Sequence, residues 1–336
     1  MVLNLQKDIS LLPYNTFGIN VKSKKFIGIK TTEALINVLN QNEEDALLIL
    51  GGGSNLLLTE DFDGLTIRME NQGIEIIKED EDWVMVKAAA GENWHDFVLW
   101  CLEKNLGGVE NLALIPGSVG AAPIQNIGAY GVELKEVFES CEVLNLNTRK
   151  IKTFSKKECE FGYRNSIFKD KLKGQSVICS VNFKLSKPPH KINTTYRGLS
   201  EKLAGRSPDI QNIAQAVIEI RSEKLPNPSV IGNSGSFFKN PVLPSKQWIE
   251  LQKKYPEIPH YPEQDGKVKI PAAWLIDTLG FKGYRKNDAG VHKNQALVLV
   301  NYGEASGLEI KKLAQEIKGK VMEVFAIDLE FEVNIL

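Results

Sequence analysis

Residues 46–58 read ALLILGGGSNLLL, an apolar run, three glycines, Ser54 and Asn55, then a second apolar run. Short branched-chain runs on either side of such a break predict two buried strands about a tight glycine turn. Consecutive glycines leave backbone N–H groups clear of any Cβ, which suits a pyrophosphate. The turn is not a P-loop, because no Gly-Lys-Ser/Thr follows, and not a G-x-G-x-x-G fingerprint opening a helix. By itself it fits a structural turn as well as a binding loop.

Upstream, residues 32–40 (TEALINVLN) predict an amphipathic helix capped by Thr31 or Thr32. Downstream, Trp83 to Ala88 alternates as a strand, and Val177, Cys179, Val181, Phe183 and Leu185 are expected on one strand face at period two. Between them, Asn93 to Lys104 predicts a helix with Trp94, Phe97, Val98 and Cys101 on one face. A polar section from Ser186 to Pro208 leads to a predicted helix, 211–223, and Pro226-Asn227-Pro228 reads as a hinge. Pro271 is expected to open a helix that Gly280 closes. Predicted strand 295–300, helix 308–324 and strand 325–336 follow. The mixture predicts an α+β fold.

The bulk numbers bound the function. A chain of 336 residues predicts two or three domains, and 43% hydrophobic content is enough for globular cores. A net charge of −1 gives no footprint for nucleic acid or an anionic membrane, so neither is expected as a partner. No apolar run approaches the roughly 20 residues of a membrane-spanning helix, and residues 1–18 lack a signal-peptide pattern. Cys101, Cys141, Cys159 and Cys179 form no C-x-x-C pair, and the four histidines show no ligand spacing, so no metal is expected. Buried thiols in a reducing cytosol are the expectation.

Four further motifs could carry chemistry. Residues 111–131, NLALIPGSVGAAPIQNIGAYG, are dominated by small residues and keep neither helix nor strand period; a flat ligand with a phosphate tail and a tight crossing of buried segments both fit. In 161–166, FGYRNS, Arg164 offers a planar fork for a carboxylate or phosphate and Tyr163 a hydroxyl and stacking surface. In 232–241, GNSGSFFKNP, flanking glycines would let Ser236 expose its hydroxyl in a sharp turn anchored by two phenylalanines. It is not a G-x-S-x-G elbow, since residue 238 is Phe. In 329–333, LEFEV, a strand would turn Glu330 and Glu332 to one face.

Taken together, these motifs resemble the UDP-N-acetylenolpyruvoylglucosamine reductase (UDP-N-acetylmuramate dehydrogenase) family. The matching segments run in order: NTFG at 15–18, GGGSN at 51–55, GENWHDFV at 91–98, ENLALIPGSVGAAPIQNIGAYG at 110–131, FGYR at 161–164, GNSGSFFKNP at 232–241 and QALVLVN at 295–301. Residues 194–199 (TTYRGL), with Tyr196, resemble the tyrosine loop of the family's longer subtype. The resemblance implies an FAD-binding domain of the vanillyl-alcohol-oxidase (PCMH) type, built from two α/β subdomains, plus a separate α+β substrate-binding domain. Expected boundaries are 1–70 with 328–336, 71–222, and 223–327. The implied activity is a cytoplasmic, monomeric, NADPH-dependent flavoenzyme that reduces the enolpyruvyl ether of a UDP-sugar to the lactyl ether, giving UDP-N-acetylmuramate for peptidoglycan synthesis. Another FAD oxidoreductase of the same superfamily is the alternative, but residues 50–58 hold no histidine or cysteine for covalent flavin attachment.

Carried over position by position, the resemblance implies catalytic roles for Arg164, Ser236 (proton donor) and Glu332. Non-covalent FAD is expected on Gly51, Gly52, Gly53, Ser54, Asn55, Ile115, Pro116, Gly117, Ser118, Gly128 and Ala129. Substrate is expected on Tyr130, Tyr163, Tyr196, Lys224, Asn240 and Gln295. Ala121 and Ala122 stand where relatives carry small hydroxyl residues, so phosphate contacts there would fall to backbone donors.

Overall fold

The protein is described by a computed structural model covering residues 5–42 and 46–336. Residues 1–4 and 43–45 of the expected first subdomain lie outside the described residues. The chain forms two compact units, one of residues 1–9, 23–53 and 62–223, the other of residues 10–22, 54–61 and 224–336. No helix among the described residues is long and apolar enough to cross a membrane.

The first unit is built on two larger sheets. In one, the order is Gln6–Ser10, Lys22–Ile29, Phe62–Met69, Leu47–Leu50, with the last three strands parallel. Parallel strands need a crossover, which helix Thr32–Gln41 supplies after Lys22–Ile29. Thr31 caps it, its side chain accepting from Ala34 N at 3.1 Å. The helix buries Leu35, Val38 and Leu39 with Ile27, Ile29, Leu65 and Ile67.

The other sheet is antiparallel, in the order Ile151–Ser155, Phe138–Asn145, Ser176–Ser186, Trp83–Ala89, Ile74–Glu79. Helix Trp94–Glu103 buries the four residues expected, and the Phe97 ring stacks 4.7 Å from that of Phe183.

The strand Ser176–Ser186 corrects the expected single face. Val177 and Cys179 join the core of helix Thr32–Gln41, whereas Val181, Phe183 and Leu185 join the core of helix Trp94–Glu103. The cause is a register shift: Ser180 pairs with Glu142 but Ile178 with Val143, leaving Cys179 as an extra residue. A slip of one residue exchanges the two faces of a strand. All four cysteines are buried free thiols.

The second unit is built on a sheet ordered Gly232–Ser236, Val298–Asn301, Ala289–Val291, Arg285–Lys286. Its longest helix, Gly307–Phe325, starts from a reciprocal capping box between Ser306 and Glu309. The strand expected at 295–300 begins only at Val298, because Gln295 turns the chain and accepts from Val298 N at 3.1 Å.

The strand expected from Phe325 to Leu336 is also corrected. Phe325 ends the helix, Ala326 follows at φ +54°, and only Asn334–Ile335 forms a ladder, parallel to Leu56–Leu57. Ile327 and Leu329 sink into the core while Lys318 of the helix donates to Leu329 O at 2.8 Å, so 327–329 follow the helix, and residues 330–333 pair only through an isolated bridge at Phe331.

Candidate active site

In the first unit, residues 90–95 serve as a template for the small-residue segment. Gly120 N donates to Ala90 O, Val119 N to Glu92 O, and Trp94 N to Gly117 O, at 2.9, 2.9 and 3.0 Å. The buried Trp94 indole donates to Leu112 O at 2.9 Å. Segment 112–120 is thus fixed by main-chain bonds, which explains why it shows no helix or strand period of its own.

The glycine turn packs against this segment. A Cβ on Gly51 would come 2.3 Å from Ser118 Oγ, and one on Gly52 would come 3.0 Å from Gly117 Cα. Gly53 takes φ +60°, a left-handed conformation that glycine adopts without penalty. No described residue accepts from the N–H groups of Gly52, Gly117 or Ser118. Free backbone donors in a cradle that any Cβ would fill are what a dinucleotide's phosphates require.

Ser54 and Asn55 belong to the second unit. There the Asn55 amide donates to Glu332 O at 3.2 Å, and its carbonyl accepts from Asn334 N at 3.1 Å. Ile115 and Gly117 are half-buried, Pro116 is exposed and Ser118 buried. Gly128 and Ala129 form a short strand against Val132–Glu133.

Arg164 is left-handed at φ +51°, next to the bridge between Gly162 and Asn165. Its Nη2 donates to Gly128 O at 2.8 Å, and its guanidinium lies 5.6 Å from the Tyr163 ring centroid. Tyr130 is left-handed too, and its ring meets Tyr196 edge to face at 5.1 Å. Burial pushes the Tyr130 hydroxyl up, opposed by its bond with Arg221. Two participants were missed in the sequence. Buried Asn111 donates to both Tyr130 O and Asn193 O, and its own Oδ1 has no partner. Arg221 sits inside a helix whose apolar pattern hides it, and burial lowers its pKa against the pull of Tyr130.

In the second unit, Ser236 ends a strand instead of sitting in the expected sharp turn. The ladder slips between Asn233 and Ser236, and Gly235 takes φ +70°. A left-handed glycine at such a bulge re-aims the next side chain. Phe237 and Phe238 are buried and pack against Phe331, edge to face and tilted respectively, as their anchoring role requires. No described residue hydrogen-bonds Ser236 Oγ.

Glu332 N donates to Phe237 O, and Lys239 N to Glu330 O, flanking the bridge between Phe238 and Phe331. That bridge sets Glu332 opposite the neighbour of Ser236. The Glu330 carboxylate is exposed and paired with Lys239 Nζ at 2.7 Å. Asn240 Oδ1 accepts from Ala272 N at 2.9 Å, so it also starts helix Ala272–Thr278. Lys224 is exposed, and the half-buried Gln295 accepts from Leu297 N through Oε1.

The comparisons agree with this geometry. A family model described as an FAD binding domain matches residues 24–154, and one described as UDP-N-acetylenolpyruvoylglucosamine reductase, C-terminal domain, matches residues 227–336. The UDP-N-acetylenolpyruvoylglucosamine reductases of Flavobacterium johnsoniae and Amoebophilus asiaticus are 51% and 50% identical, over 99% of this chain and 100% of theirs. The solved UDP-N-acetylenolpyruvylglucosamine reductase of Thermus caldophilus shares the fold, with a TM-score of 0.67 and 24% identity over 99% of each chain. The vanillyl-alcohol-oxidase-type FAD-binding fold and the separate C-terminal domain are therefore both present. With the glycine cradle intact and identity near half over the full length, the chain belongs to the UDP-N-acetylenolpyruvoylglucosamine reductase family.

Proposed function

We propose that Arg164, Ser236 and Glu332 carry the reaction of this FAD-dependent reductase. The enzyme uses NADPH to reduce the enolpyruvyl group of UDP-N-acetyl-3-O-(1-carboxyvinyl)-glucosamine to a lactyl ether in peptidoglycan precursor synthesis. The observation that carries the residue assignment is the uncommitted Ser236 hydroxyl, aimed by a glycine bulge whose two phenylalanines lock the backbone.

FAD, when bound, supplies hydride transfer to the carbon–carbon double bond. The backbone N–H groups of Gly51–Gly53, Ile115, Gly117 and Ser118 would hold its phosphates, with Pro116 between them as a residue that has no N–H to donate, and Ser54, Asn55, Gly128 and Ala129 would complete the set. Electron density gathers on the substrate carboxylate as the double bond is reduced. A guanidinium placed in advance lowers the barrier most where charge develops, and that is the role of Arg164. Its bond to Gly128 O holds the fork in orientation. Ser236 gives its hydroxyl proton to the carbon bearing the carboxylate, a transfer a weak acid can make only to a strongly basic enolate. Glu332, pinned through its backbone by Phe237 and Asn55, acts on the same developing charge.

Tyr130, Tyr163, Tyr196, Lys224, Asn240 and Gln295 bind the nucleotide sugar. Residues 1–70 with 328–336 and 71–222 serve the cofactor, and 223–327 the substrate. The enzyme works in the cytoplasm, where its nucleotide-sugar substrate and NADPH are found, and as a monomer. Single-turnover absorbance under anaerobic conditions tests the assignment. Ser236→Ala should leave flavin reduction by NADPH nearly intact and slow reoxidation by the enolpyruvyl substrate by about 100-fold or more. Equal loss in both half-reactions would remove Ser236 from the donor role.

A further inference from the structure

Leu114, immediately before Ile115–Ser118, takes φ +57°, a left-handed conformation that a leucine adopts only when its surroundings impose it. Both sides of the residue are held. Its N–H donates to His95 Nδ1 at 3.0 Å, and its carbonyl accepts from Arg221 Nε at 3.2 Å. His95 stands in the first turn of helix Trp94–Glu103, the same turn whose Trp94 N–H bonds Gly117 O. Arg221 reaches Leu114 from helix Ile210–Lys224.

A backbone N–H can only donate, so His95 Nδ1 must be an acceptor and the ring neutral, with its proton on Nε2. Protonation would set one donor against another at hydrogen-bond distance. It would also add a positive charge near the Arg221 guanidinium.

We propose that His95 is a positioning residue for FAD: its neutral Nδ1 fixes Leu114 in the left-handed conformation, and protonating the ring releases segment Ile115–Ser118. This rests on the reading of that segment and of Gly51–Gly53 as the FAD cradle. The groups facing the ring support a neutral form at ordinary pH. Burial lowers the His95 pKa most, Arg221 lowers it further, and Asp96 in the same helical turn opposes them. Arg221 is itself faced by the Tyr130 hydroxyl and by Arg164. The neutral state, and with it the clamp, is therefore present above the His95 pKa and lost as pH falls through it.

Free-flavin fluorescence on serial dilution of the full-length holoprotein gives the FAD Kd between about pH 7.5 and about pH 5. For the unmodified protein, Kd should rise about tenfold on acidification, the size of one lost hydrogen bond with its strained peptide released. His95→Asn places an amide oxygen near the position of Nδ1 and cannot titrate, so its Kd should stay near the neutral-pH value throughout. His95→Leu should be about tenfold weaker at both ends, with no pH dependence. A His95→Leu protein with unmodified Kd and pH profile overturns the proposal, as does a His95→Asn protein that keeps the unmodified pH dependence. If His95→Leu does not fold, the His95→Asn profile decides alone. A protein that retains no flavin at any pH instead removes the cradle reading itself.

Discussion

Replacing Gly52 by alanine tests how closely the glycine turn and the small-residue segment must approach. The added Cβ would stand 3.0 Å from Gly117 Cα and 3.3 Å from its carbonyl carbon. Carbon atoms rest at about 3.5–4.0 Å, so the two backbones must part by roughly 0.5 Å. Neither contact is a side-chain end that could swing away, and Gly117 is itself tied through its carbonyl to Trp94 N. Overpacking of this kind costs about 1–3 kcal/mol, which corresponds to roughly 5- to 150-fold in an equilibrium constant. On the proposal that these two loops carry the cofactor's phosphates, the cost should appear in the FAD Kd more than in global stability. Flavin release on dilution and the thermal midpoint of the same samples separate the two. Gly319→Ala is the matched control: it lies in helix Gly307–Phe325 with no atom within 4 Å of the new Cβ. That change should leave FAD binding unaltered and stabilise by up to about 1 kcal/mol. A Gly52→Ala protein with unmodified FAD affinity would refute the close-approach argument.

Three further outcomes are expected. Trp94→Phe keeps most of the buried ring but strips Leu112 O of its indole donor, and urea unfolding should report a loss of about 1–3 kcal/mol. Ser306→Ala removes the helix cap and should cost about 1 kcal/mol. The Ser306 backbone N–H, then its hydroxyl, hold the Glu309 carboxyl below its ordinary value. That contribution is present above the unfolded-state pKa and lost as pH falls through the lowered one. Ser306→Ala keeps the backbone donor, so the variant that tests this is Glu309→Gln, which cannot titrate: it should flatten the acid limb of a stability–pH profile, and an unchanged limb would contradict this.

Local signals were legible wherever a short-range rule governs the backbone. Thr31 before an amphipathic run and the apolar period of 94–101 each set a helix that the structure contains. Motif chemistry was legible in the same way. Gly51–Gly53 could be read as a cradle because the absence of a Cβ is a property of the residues themselves.

The sequence pattern failed where partners distant in the chain decide. The face of Val177 and Cys179 depends on a one-residue slip opposite Glu142 and Val143, and no periodicity within 176–186 reports it. Residues 326–333 alternate like a strand, yet 327–329 follow helix Gly307–Phe325 through buried Ile327 and Leu329 and the Lys318 bond, and pairing within the stretch is confined to an isolated bridge at Phe331. Ser236 was legible as an exposed hydroxyl near glycines, but only the ladder slip across Val298 shows how it is aimed.

What the sequence alone determined is the chemistry available: a turn without side chains, a planar cation at 164, a hydroxyl at 236 and a carboxylate at 332. What only the tertiary structure decided is how the backbone presents them. Leu114 held between His95 and Arg221, and segment 112–120 laid along residues 90–95, rest on hydrogen bonds that span up to 107 positions. A hydrogen bond of that span depends on how the whole chain packs, and no local preference of either partner encodes it.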